Sequence, residues 1–164
     1  MSLFPGHTPE IRCDAAISDC GRYRWWLSRT WGDAPPLVFI GLNPSTADAS
    51  QDDPTIRRCI GFARRERCGG LLMLNLFAFR ATDPHLLYGV PDRVGGENNR
   101  YLRTLATGKV VAAWGAHALA PARAAEVRKL LSVPLLCLGT TKDGSPRHPL
   151  YVRADEPLRL WETE

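Results

Sequence analysis

Three segments carry side chains that could act on a ligand: Asn43 in GLNPS (41–45), Asn75 in the apolar run LLMLNLF (71–77), and His148 in TTKDGSPRHPLYV (140–152). An asparagine amide offers one acceptor and two donors on a short arm, and a neutral imidazole can donate to developing negative charge. Asp48, Asp52 and Asp53 stand close enough after Asn43 to be recruited as a proton acceptor. Each also has a plainer reading. Asn43-Pro44 after a strand is often only a turn, Asp53-Pro54 reads as a helix N-cap, and His148 in a proline-flanked loop could lie at the surface. His7, His85 and His117 are read as structural or solvent-facing. Asn75 is harder to dismiss, because an asparagine in an apolar strand must find partners or cost about 1–3 kcal/mol. It is either tied to backbone or facing a ligand.

Positioning these groups requires strands. LVFIGL (37–42), LLMLNLF (71–77), KVVAAW (109–114) and PLLCLG (134–139) are continuous apolar runs, the pattern of strands covered on both faces. RYRWWLSRTW (22–31) suggests an edge strand, with Trp25, Trp26 and Trp31 packing against core or edge. A helix should run from Asp53-Pro54 to near Cys68-Gly69-Gly70, with an apolar face of Ile56, Ile60, Phe62 and Ala63. Further helices are expected over about 97–107 and Ala118–Leu131, and the last dozen residues offer only a short amphipathic piece around Leu158, Leu160 and Trp161. The alternation implies one α/β domain over residues 1–164: three layers, α/β/α, around a central, mostly parallel four-stranded sheet plus an N-terminal edge strand. Ligands bind outside the carboxyl ends of such strands. Those ends are Gly41-Leu42-Asn43-Pro44-Ser45, Asn75, Trp114-Gly115-Ala116-His117 and the His148 loop.

Composition narrows the class. The 164 residues are 45% hydrophobic and 23% charged, ordinary for a soluble domain. No apolar run approaches the ~18 residues of a membrane span, so no membrane partner is expected. MSLFPGHTPEIRCD lacks a basic flank followed by an apolar stretch, and a cytoplasmic location is expected. Cys13, Cys20, Cys59, Cys68 and Cys137 are odd in number and form no CxxC pair, which argues for reduced thiols and against a disulfide framework, a zinc ribbon or a four-cysteine cluster. A net charge of +4 suits a polyanionic partner without demanding one. The cluster Arg57, Arg58, Arg64, Arg65 and Arg67 reads as a solvated helix face before a DNA contact.

In order along the chain, GLNPS (41–45), LLMLN (71–75), VVAAWGAHA (110–118) and SPRHPLYV (145–152) resemble the uracil-DNA glycosylase superfamily. The first resembles its water-activating motif in the variant with asparagine for aspartate, the second the strand ending in the uracil-reading asparagine, and the last the loop whose histidine-proline pair precedes a DNA wedge. GLNPSTAD, with DDPT and NLFAFRATDP, also resembles a bacterial family labelled a domain of unknown function.

The resemblance implies a sheet of uracil-DNA glycosylase type and a monomeric DNA-repair enzyme. That enzyme would flip uracil out of single- or double-stranded DNA and hydrolyse its N-glycosidic bond to an abasic site, with no cofactor and no metal. Asn43 would hold the attacking water, with Asp48 or Asp53 as a recruited base. Asn75 would read O4 and N3–H, and His148 would donate to O2 of the leaving base. Gly41, Leu42, Pro44, Ser45 and Phe77 would surround the base. Pro149, Leu150, Tyr151 and Val152 would supply the wedge, and Arg147 and Arg153 would hold phosphates. Two departures stand out. Ser45 occupies the position of the tyrosine that blocks thymine, and Thr55-Ile56 that of the stacking phenylalanine, so Phe77, Phe79 or Trp31 would have to replace it. Two other readings remain: a nucleic-acid or nucleotide binder of the same fold without the chemistry, and an N-glycosidase for another modified base or a free nucleoside.

Overall fold

The structure, a computed structural model, describes residues 9–163, so the reading of His7 lies outside the described residues. Among the described residues, seven strands form a single sheet: β1 (Arg12–Ile17), β2 (Arg24–Thr30), β3 (Leu37–Gly41), β4 (Gly70–Asn75), β5 (Val110–Ala112), β6 (Leu135–Cys137) and β7 (Arg159–Leu160). Their order is β1-β2-β4-β3-β5-β6-β7. The four strands expected from the apolar runs are adjacent and parallel, β4-β3-β5-β6, and β1, β2 and β7 pair antiparallel.

The expected four-stranded sheet with one edge strand is thereby corrected. β2 lies inside the sheet, because β1 covers it along Arg12–Ile17. RCDAAI is polar at its start and half-exposed, so it lacks the alternation that marks a strand. Two-residue β7 is too short to show any period.

Helices α1 (Pro54–Arg65), α2 (Asn98–Leu105) and α3 (Ala120–Leu130) cover the faces. Alternation along β3 sorts the core, since Leu37 and Phe39 pack with Ile56, Cys59 and Phe62 of α1 while Val38 and Ile40 pack with Leu102 of α2 and Val127 of α3. α1 begins where Asp53 accepts the Ile56 N–H at 2.8 Å and Pro54 takes the first position. After it, Gly69 approaches the 32–34 turn so closely that a Cβ would lie 2.1 Å from the Ala34 carbonyl oxygen.

The arginine cluster divides: Arg57, Arg64 and Arg67 are exposed, as the solvated reading expects, while Arg58 and Arg65 are partly buried. Arg58 donates to the Val152 carbonyl, Arg65 donates to Ala154 and Glu156, and Arg64 lies over the Trp31 ring. Arg58 and Arg65 fasten the segment that follows His148 onto the sheet-covering helix.

Candidate active site

The carboxyl ends of β3, β4 and β5 open into a pocket of about 410 Å³. Parallel register sets Gly41 of β3 beside Asn75 of β4. A Cβ on Gly41 would lie 3.0 Å from Asn75 Oδ1, so glycine here leaves room for the amide. Asn75 is 1% exposed, and neither its Oδ1 nor its Nδ2 has a hydrogen-bond partner among the described residues. Its backbone, in contrast, is held. Asn98 Nδ2 donates to the carbonyls of Asn75 and Leu76 at 3.0 and 3.1 Å, and Arg123 Nε donates to Leu76 at 2.9 Å. The strand end is fixed, and the buried amide borders the pocket with its own polar atoms uncommitted.

Asn43 is in the opposite state. Its Nδ2 donates to the carbonyls of Pro44 and Ala81, both at 2.9 Å, which leaves Oδ1 as its unused group on the pocket wall. The N–H groups of Leu76, Phe77 and Ala81 donate to Gly41, Leu42 and Pro44 and join the two strand-end segments. Asn43-Pro44 is therefore a turn that also presents an acceptor.

The His148 loop is delivered by backbone. Gly115, at φ +72°, donates its N–H to the Pro146 carbonyl at 2.9 Å, and Arg147 N–H donates to Gly139 at 3.0 Å. His148 Nδ1 accepts the Leu150 N–H at 3.2 Å, so the neutral ring carries its proton on Nε2. Burial holds its pKa below the usual histidine value, against the pull of Asp53. His117 repeats the arrangement: Nδ1 accepts from Leu119 N–H at 3.2 Å, and burial, aided by His85, keeps its pKa low. Contrary to the structural or solvent-facing reading, His117 lines the pocket, and Tyr88 stacks on it at 5.5 Å.

Of the three aspartates, only Asp53 lines the pocket, and its Oδ1 caps α1. Asp48 Oδ1 accepts the N–H groups of Ser50 and Gln51, which hold its pKa below the ordinary value. Asp52 pairs with Arg29 at 2.8 Å.

Gly41, Leu42, Asn43, Ser45, Asp53, Asn75, His148, Leu150 and Tyr151 thus meet in one pocket. Pro44 is buried outside its lining, and Phe77 packs in the core on the α2–α3 face. Phe79 meets Tyr23 edge-on, and the Trp31 indole donates to Cys68, so none of the three proposed stacking aromatics lines the pocket. The rings that do line it are Trp114, His117, His148 and Tyr151. Val152 and Pro149 are buried and cannot form part of a wedge, Arg147 is exposed off the pocket wall, and Arg153 pairs with Asp155 at 3.1 Å. Tyr151 is 77% exposed, and Tyr88, on the Pro84–Gly89 turn flanking the pocket, is 52% exposed.

Sequence reading missed Arg24. It is 2% exposed on the pocket wall, and burial pulls its pKa down to about 10 against the opposing charge of Asp53. The argument that singled out Asn75, a polar group in a buried strand, applies to it equally. A larger recess of about 710 Å³ lies between α3, the 140–146 turn and Trp161; it takes Trp114 and residues 140–146 from the segments singled out at strand ends, but neither Asn43, Asn75 nor His148 lines it, and its Asp143 is bonded to Thr141 and Ser145.

No curated protein and no solved structure matches the chain. The model described as "Protein of unknown function (DUF1643)" matches residues 24–150, a span that holds every pocket-lining residue except Tyr151. With most of its length and nearly all of its pocket inside that match, the chain belongs to the DUF1643 family.

Proposed function

We propose that this chain is a uracil-DNA glycosylase, and that the four parallel strands β4-β3-β5-β6 correspond to the central sheet of that superfamily. The observation that carries this reading is the Asn75 amide, buried at the strand ends beside the pocket with no partner among the described residues. A uracil edge supplies the missing partners: O4 accepts from Nδ2 and N3–H donates to Oδ1. His148 Nε2–H serves O2 as charge develops on the base. Asn43 Oδ1 orients a water whose oxygen bonds to C1′ as the C1′–N1 bond breaks, its electron pair leaving with uracil. The water proton passes to solvent or to Asp53, the one carboxylate on the wall among the described residues. Exposed Leu150 and Tyr151 fill the gap left by the flipped nucleotide.

A second reading, a nucleotide binder without the chemistry, is favoured by one feature: the amide of Asn43 is half committed to backbone and Asp53 to a helix cap. Incubating the protein with an end-labelled uracil-containing oligonucleotide, followed by alkali, separates them. Strand cleavage at uracil is expected; a mobility shift without cleavage selects the binder, and release of base from nucleosides alone selects an N-glycosidase of other substrate.

A further inference from the structure

Two buried arginines of β2 lie beneath the 44–52 loop, and they differ in how their donors are used. Arg29 directs Nε to Asp52 and Nη1 to the Ser28 carbonyl, both at 2.8 Å, and Nη2 to the carbonyls of Asp48 and Gln51. Arg24 makes one such bond, from Nη1 to the Ala47 carbonyl at 2.9 Å. Its Nε is buried without a partner, and no carboxylate lies within ion-pair distance of it among the described residues. Arg24 faces the pocket and Arg29 does not. A buried guanidinium with unused donors is costly until an anion completes it.

The wall beside it suits an oxyanion. Ser45 and Thr55 bring hydroxyls that make no bond to protein among the described residues, and Thr55 stands in the first turn of the twelve-residue α1, the positive end of its dipole. Of the nearby carboxylates, Asp52 is paired with Arg29 and Asp53 Oδ1 caps α1, so neither forms an ion pair with Arg24.

We propose that Arg24, Ser45 and Thr55 form a phosphate subsite within this pocket, and that it receives the phosphate of the nucleotide whose base reaches Asn75. The phosphate subsite stands on Arg24 itself; the identity of the base rests on the glycosylase reading.

Calorimetric titration of the full chain with inorganic phosphate, dUMP and deoxyuridine tests this. dUMP should bind about 10- to 100-fold more tightly than deoxyuridine, the size of one charge-assisted contact. The preference should vanish in Arg24→Gln and survive in part in Arg24→Lys. Inorganic phosphate should compete with dUMP in the unsubstituted chain and not in Arg24→Gln. Thr55→Val leaves the Ala47 bond intact and should lower the same preference by about threefold or more, which keeps the idea testable where Arg24 variants do not fold. A methylphosphonate beside uracil that weakens oligonucleotide binding assigns the phosphate to DNA; Arg24-dependent dUMP binding with an unaffected oligonucleotide assigns it to a free nucleotide. Arg24-dependent phosphate binding with no binding of either uracil compound upholds the subsite and removes the uracil reading. Equal dissociation constants for dUMP and deoxyuridine in the unsubstituted chain overturn the subsite without any variant, as does a preference that persists in Arg24→Gln.

Discussion

Asn43 and Asn75 bring the same side chain to one pocket, one with its donors committed to backbone and the other with no partner at all. Opposite mutational outcomes follow. Asn43→Ala should lower the single-turnover excision rate by about 10²–10⁴ with DNA affinity nearly intact. Asn43→Asp should not raise the excision rate, because its carboxylate would face the Pro44 and Ala81 carbonyls in place of two donated hydrogen bonds; thermal unfolding would register the loss. His148→Ala should cost about 2–4 kcal/mol in the chemical step, less for 5-fluorouracil, whose anion is a better leaving group. Its pH signature follows from the lowered pKa. Protonation of the folded state needs a lower pH than in the unfolded chain, so the unfolded state binds more protons as pH falls below about 6.5. The stability contributed is complete above that value and is lost as pH falls through the lower folded pKa. Stability measured against pH, in the native chain and in His148→Ala, should differ in that acid window; parallel curves would contradict the assignment.

At the scale of elements, four strands and three helices were legible because both-face burial writes long apolar runs and an Asp-Pro pair writes a helix start. What stayed hidden was short or compensated: β1, whose exposed face breaks the alternation, and β7, with two residues. The pocket was legible at Asn43, Asn75 and His148 because they terminate readable strands or follow them. Phe77 was misplaced because aromatic type alone does not say which face of a strand end it takes, and Val152 because burial under Arg58 and α1 depends on contacts 94 residues apart in sequence. Asn98 was invisible for the same reason, since its role is to hold carbonyls of β4 from α2. Asn98→Ala should leave those carbonyls short of donors and lower stability by about 1–3 kcal/mol. It should also raise hydrogen exchange at Asn75–Phe77, where an unchanged rate would deny the positioning role.

Across the whole molecule, a net charge of +4 and a pocket mouth flanked by exposed Leu86, Tyr88, Leu150 and Tyr151 suit a nucleic-acid strand held by phosphate contacts and stacking. Binding to a uracil-containing oligonucleotide should then weaken at least about tenfold between about 50 and 200 mM salt; salt-independent affinity would exclude a phosphate-led interface. The most direct measurement of the central claim pairs catalysis with stability at Asn75. Replacing an unpartnered buried amide with an apolar side chain of similar size is neutral or stabilising when the amide serves no structural purpose. Asn75→Leu should therefore melt at or above the temperature of the native chain, while single-turnover excision of uracil from a labelled oligonucleotide, robust in the native chain, disappears. An Asn75→Leu protein that excises uracil at the native rate, or a native chain that excises none, would contradict the account.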